Sequence, residues 1–68
     1  MIDTNKLRGI IAERGMSQQK VAEKLGVSWR TFYLKMKKGE FSSSEMSALC
    51  TILSIKEPMP IFFAEFVS

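Results

Sequence analysis

The sequence predicts an all-α fold, a compact bundle of four to five short helices forming one domain over residues 1–68. Two observations carry this. The first is a helix-start signal that recurs four times: an apolar residue, a polar cap, and a second apolar residue five positions after the first. Ile2-Asp3 with Leu7, Met16-Ser17 with Val21, Val27-Ser28 with Phe32, and Phe41-Ser42 with Met46 all fit it. This is the pattern of the hydrophobic staple, in which the residue before the cap packs on the fourth helical residue. The second observation is that apolar residues at helical spacing follow each start, and that Gly15, Gly26 and Gly39 follow the first three helices.

The first helix is predicted from about Thr4 to Arg14, with Leu7, Ile10, Ile11 and Arg14 at i, i+3, i+4 and i+7. The second is predicted over about 18–25, capped by Ser17, with Val21, Ala22 and Leu25 on one apolar face. Gly26 ends it, at a position where a left-handed conformation costs glycine nothing. Ser28 then caps a third helix over about 29–37. A turn this short makes the two helices cross steeply, so a small residue is needed where they touch. Ala22 is the candidate for that contact.

A fourth helix is predicted from about Ser43 to Leu53, opened by a Ser42–Glu45 capping box, with Met46, Leu49, Cys50 and Leu53 facing inward. Pro58 and Pro60 exclude an ordinary helix interior but suit the first turn of another. Residues 58 to about 64 are therefore expected to form a short fifth helix. An extended tail from Ile61 to Val67 is the alternative, because Phe62, Phe63, Phe66 and Val67 suit either state.

Composition narrows the function. An apolar fraction of 46% argues against disorder and allows one small core. A net charge of +3 is compatible with nucleic acid without being diagnostic of it. Its distribution says more: Lys20, Lys24, Arg30, Lys35, Lys37 and Lys38, six of the ten cations, fall within the second and third helices and their flank. Cys50 is the single cysteine, so no intrachain disulfide forms, and a reducing compartment, the bacterial cytoplasm, is expected. No stretch has the length and apolarity of a membrane span or signal peptide. With no histidine, one cysteine and no glycine-rich phosphate loop, the sequence suggests neither an enzyme nor a metal or cofactor site.

From Ser17 to Gly39 the chain reads as two short helices joined by a tight glycine turn, the second basic and aromatic. A helix pair of that shape fits a DNA major groove. Ser17-Gln18, Ala22, Leu25-Gly26-Val27-Ser28, Thr31 and Phe32, with a glycine-ended third helix, resemble the phage Cro and repressor-type helix-turn-helix family. The resemblance covers nearly the whole chain. It implies a lambda-repressor-like DNA-binding domain and, with no second domain in view, points to the Cro side of the family or to an antirepressor on the same scaffold. In one departure, Lys35 stands where members often carry a second apolar residue, and Met36 takes its place. In another, Trp29 and Arg30 stand where many members carry small or amide residues.

By that resemblance the third helix enters the major groove with Trp29, Arg30, Tyr33 and Leu34 facing it. An Arg30 guanidinium can bond guanine O6 and N7 together, against the plainer reading of a solvated charge. Leu34 is placed to touch a thymine methyl, since Phe32 and Met36 already define the inward face. Trp29 has three open roles: a sugar or base edge, packing beneath the second helix, or a protein interface. The last two rank above base reading, because an indole has one donor. Tyr33 has a phosphate contact and a solvated face as nearly equal readings. Gln18, at the start of the second helix, matches a backbone-contact position. Lys35, Lys37 and Lys38 would follow the DNA backbone, and the Thr31 and Ser28 hydroxyls would add contacts, although capping already accounts for Ser28.

The expected partner is a double-stranded operator bound by a homodimer. Phe62, Phe63, Phe66 and Val67 are the candidate dimer contacts, because they exceed what so small a core absorbs. A protein-binding modulator that masks a partner phage repressor is the alternative, favoured by the aromatic helix face.

Overall fold

Local chemistry starts and stops each helix. In the computed structural model, which describes residues 2–67, the helices are α1 (Thr4–Glu13), α2 (Gln18–Leu25), α3 (Trp29–Lys38), α4 (Ser43–Ile52) and α5 (Met59–Phe62). A single 3₁₀ turn, Ala64–Phe66, follows. All four expected caps are present: the Asp3, Ser17, Ser28 and Ser42 side chains accept from the N–H groups of Lys6, Lys20, Thr31 and Glu45. Ser42 and Glu45 complete their capping box. The expected boundaries hold to within one residue for the first four helices: Arg14 and Leu53 fall just outside α1 and α4, and Lys38 extends α3.

The helix ends share one device. At α2, Val27 N–H reaches Ala22 C=O and Gly26 N–H reaches Glu23 C=O, both at 3.1 Å, with Gly26 at φ +82°. This pair of bonds is the Schellman closure, which satisfies the last carbonyls of a helix. α1 and α3 end in the same way at Gly15 and Gly39. α4 does too, but without glycine. Ile55 N–H bonds Cys50 C=O at 2.9 Å and Ser54 N–H bonds Thr51 C=O at 3.4 Å, with Ser54 itself at φ +53°.

Leu7 and Ile11 of α1, Val21 and Ala22 of α2, Phe32 and Met36 of α3, and Leu49 and Leu53 around α4 form the buried core. Ile2, Phe41, Ile61 and Phe62 close it from the connecting segments and α5. Ala22 is 1% exposed on the α2 face that packs on α3, as a close crossing requires. Ile10, Met46 and Cys50, read from the sequence as core, lie at its half-buried margin. Arg14 shares the apolar spacing of α1 but caps α4 instead. Its Nε donates to Leu53 C=O at 2.7 Å and its Nη2 to Ser54 C=O at 3.4 Å, placing a cation at a helix C-terminus.

The C-terminal segment corrects the sequence reading. α5 stops at Phe62, because Phe63 leaves helical geometry at φ −131°, ψ 47°. Phe62 is 2% exposed and Ile61 4%, so both are core. Asp3 N–H donates to Ile61 C=O at 2.6 Å, which ties the two ends of the described chain together. Phe62 thus cannot serve as a contact on an open surface, whereas Phe63, Phe66 and Val67 remain exposed. Ser68, which follows the expected tail, lies outside the described residues.

Ser54 holds a left-handed conformation that costs a side chain about 1–2 kcal/mol. Ser54→Gly is expected to stabilise the fold by about 1 kcal/mol, read as a melting temperature raised by roughly 4–8 °C.

Candidate nucleic-acid interface

Burial of Phe32 and Met36 fixes the rotation of α3 about its axis. At 100° per residue, the opposite side of the helix is then that of Arg30, Leu34, Lys37 and Lys38, with Tyr33 and Thr31 on its two flanks. The exposures agree: Arg30, Thr31, Lys37 and Lys38 are exposed, Tyr33 is 52% exposed and Leu34 41%. Leu34 is therefore a surface residue, as its spacing predicted. Arg30 is exposed and has no ion-pair partner among the described residues, so its donors are open to an outside acceptor.

Trp29 sits closer to the buried side. Its ring centroid lies 6.5 Å from Phe32 at an interplanar angle of 27°, and 6.2 Å from Tyr33 at 55°. Phe32 in turn meets Phe41 at 5.8 Å, so an aromatic chain runs from the surface into the core. Trp29 is 45% exposed, so it packs on the core side and still presents surface to solvent.

The hydroxyls at the start of α3 are already engaged. Ser28 Oγ accepts from Thr31 N–H at 3.1 Å and donates to Thr31 Oγ1 at 2.9 Å. Ser28 is thereby spent as a cap, while the proton of the Thr31 hydroxyl stays available to an outside acceptor.

Lys35 departs from its expected role. Its Nζ lies 3.1 Å from Glu45 Oε1, the same oxygen that accepts the Ser42 N–H at 2.8 Å. The Lys35 side chain is 32% exposed and that of Glu45 18%. Lys35 therefore ties the end of α3 to the start of α4 instead of presenting its charge on the outer face. The sequence placed the three lysines together, but Glu45 comes ten residues after Lys35, and only the fold brings the pair into contact. The Ser42 N–H holds the Glu45 carboxyl below its ordinary pKa, outweighing the burial that pushes it up, and the Lys35 ammonium adds to the lowering.

Gln18 is the first residue of α2 and half-buried. It lines an open depression with Trp29, Tyr33, Met36, Lys37 and, from α1, Arg8. Sequence reasoning missed Arg8. It stands one position after the buried Leu7, and no local pattern marks a cation that only packing of α1 brings beside α3.

These features make one outward helix, held by a glycine turn and flanked by cations. A family model for the Cro/C1-type helix-turn-helix DNA-binding domain matches residues 6–58. The chain belongs to that family. The match takes in most of α1 and all of α2, α3 and α4, and stops before α5. No curated protein and no solved structure matches the chain. As a member of the Cro/C1-type family, the chain is a helix-turn-helix domain for binding DNA. No helix among the described residues is long and apolar enough to cross a membrane.

Because folding lowers the Glu45 pKa, its contribution to stability is complete above the unfolded value, near 4.5, and lost as pH falls through the lower folded value. Glu45→Gln is expected to cost about 0.5–2 kcal/mol at neutral pH. The variant's stability should also fall less steeply than that of the parent between about pH 5 and pH 3, measured by urea denaturation.

Proposed function

We propose that the chain is a Cro-like, sequence-specific transcriptional regulator that lays α3 in the major groove of an operator and represses by occluding a promoter. The observation that carries the reading is the division of α3. Phe32 and Met36 anchor one side in the core, and Arg30, Leu34 and Tyr33 stand on the surface where a helix in the groove meets base edges. Arg30 reads guanine through O6 and N7, Leu34 covers a thymine methyl, and Tyr33, Thr31, Lys37, Lys38 and Gln18 meet the backbone. The site of action is the bacterial cytoplasm, and the source a phage or prophage.

The regulator works as a homodimer whose half-sites lie about 34–36 Å apart, one helical turn. Exposure of Phe63 at 40%, Phe66 at 74% and Val67 at 45% supports an apolar contact there. Removing the whole segment is no test of that contact, because Ile61 and Phe62 would leave the core with it. Phe66→Ser, which spares the core, is expected to convert the dimer to a folded monomer in sedimentation equilibrium. If the variant and the parent sediment alike, this surface is not the dimer contact.

A second reading keeps the scaffold and changes the partner. The exposed Trp29, Tyr33 and Leu34 suit a protein hot spot as well as a groove, as an antirepressor binding a partner repressor would require.

Fluorescence anisotropy separates the two. With duplex DNA from around the encoding gene, binding is expected to exceed that of scrambled DNA by ~10³-fold or more. Arg30→Ala should lower that preference by about 1–3 kcal/mol and leave scrambled DNA less affected. A steep salt dependence without preference would reduce the activity to cations meeting phosphates. No binding at ~50 mM salt would favour the protein partner.

A further inference from the structure

Two recesses beside α3 carry opposite charge. The first is the depression walled by Trp29 and Tyr33, which holds Arg8 and Lys37 and, among the described residues, no carboxylate. The second begins at Gly39, where α3 ends. Phe41, Met46 and Phe62 wall it, and the exposed Phe63 and Phe66 stand at its rim. It holds Glu40 and Glu65 and, among the described residues, no cation.

These charges are not spent within the chain. Lys37 and Glu40 make no ion pair with any described residue. Arg8 is steadied by a neutral group, its Nη1 donating to Asn5 Oδ1 at 3.0 Å. Glu40 also borders a recess with Lys35 and Lys38, but Lys35 is taken by Glu45. Both recesses also present exposed aromatic rings, Trp29 and Tyr33 on one, Phe63 and Phe66 on the other. Opposite charge beside aromatic surface meets the needs of a self-complementary contact. Burial of the rings supplies affinity, and the charges select the orientation.

We propose that, free of DNA, two copies of the chain pair with the basic recess of each against the acidic recess of the other. Lys37 lies in the last turn of α3 and Glu40 just beyond the Gly39 closure. A two-fold axis passing between them satisfies both contacts at once, so the pairing closes as a dimer. It covers Trp29 and Tyr33 and withdraws α3 from solvent. The dimer of the regulator reading is different, because contact through Phe63, Phe66 and Val67 leaves both third helices open. The two assemblies share the rim of Phe63 and Phe66 and so exclude one another. A duplex that holds α3 would draw the protein out of the paired, silent form. That consequence rests on the regulator reading; the pairing itself does not.

Sedimentation velocity across a concentration and salt series compares the parent with Lys37→Glu, Glu40→Lys, the double variant and Lys56→Glu. Lys37 and Glu40 are exposed, so the variants should keep the fold. Each single reversal sets like charges together and is expected to lower the association constant on the order of tenfold. The double variant restores opposite signs and should recover most of that loss. Net charge alone predicts the reverse for Lys37→Glu, which lowers it from +3 to +1 and would ease repulsion between copies. Lys56→Glu makes the same change outside both recesses and should not weaken association. Raising salt from about 0.01 to 1 M, which shortens the screening length from about 30 to 3 Å, should weaken the parent pairing. Acrylamide quenching of Trp29, the single tryptophan, should fall as copies associate, whereas contact through Phe63, Phe66 and Val67 would leave it unchanged. If Lys37→Glu associates like the parent, if the double variant stays as weak as the singles, or if the parent remains monomeric throughout, the pairing is wrong and the regulator reading is untouched. If the charge pattern holds and gene-proximal duplex disperses the pairs, both stand. If it holds and no duplex binds, the pairing stands and the regulator reading fails.

Discussion

The turn at Gly26 sets the geometry on which the outer face of α3 depends. Val27 N–H and Gly26 N–H close α2 on the carbonyls of Ala22 and Glu23, which requires a left-handed residue at position 26. A Cβ built at Gly26 would meet nothing within 4 Å, so the demand for glycine comes from φ and not from space. The next residue but one, Ser28, is already the cap of α3, so little chain is left to redirect the second helix. Val27 precedes that cap at the staple position, and Phe32, fully buried, lies five residues on. Direction comes from the turn and rotation from Phe32 and Met36. Together they decide that Arg30 and Leu34 look outward while Trp29 leans on the core.

Within this frame the charge of α3 has two explanations that composition alone cannot separate. Lys35, Lys37 and Lys38 all sit in the last turn, where cations stabilise the negative end of the helix dipole. A basic last turn therefore needs no DNA to account for it. What divides the three is their surroundings. Lys35 is taken by Glu45, whose carboxylate also closes the capping box of α4. Lys37 opens into the recess with Arg8, and Lys38 lies beside Leu34 and Thr31. One cation is thus drawn off the outer face of α3 by α4, and another is brought beside that face by α1.

That exchange marks the boundary of what could be read from the sequence. Caps, staples and glycine closures act across three to five residues, so Asp3, Ser17, Ser28, Ser42 and Gly26 could be assigned by spacing alone. The same holds for the outward set on α3, because a helix with two buried positions leaves its opposite side determined. The features that spacing did not reach depend on packing between distant segments. Arg14 repeats the apolar spacing of α1, yet it finds the carbonyls of Leu53 and Ser54, some forty residues away. Ser54 closes α4 in a left-handed conformation with no glycine to announce it. Arg8 and Lys37 line one recess only because α1 packs beside the bihelical unit.

The C-terminal segment is the clearest case, since its apolar residues carry no periodicity that separates inside from outside. Phe63 breaks α5, and the break turns successive aromatics in different directions: Phe62 into the core, Phe66 to solvent. The inward half is held by Asp3 N–H on Ile61 C=O and by burial beside Ile2, so it belongs to the stability of the whole bundle. Losing the Phe62 ring would cost about 3–5 kcal/mol, a large share of what so small a domain can hold. The outward half begins one residue later. A second copy seated on Phe63 and Phe66 would therefore press on the segment that seals the core. Association would then stabilise the folded chain by mass action as well as position two recognition helices on one duplex. In so small a bundle, assembly and folding would share one short stretch of backbone.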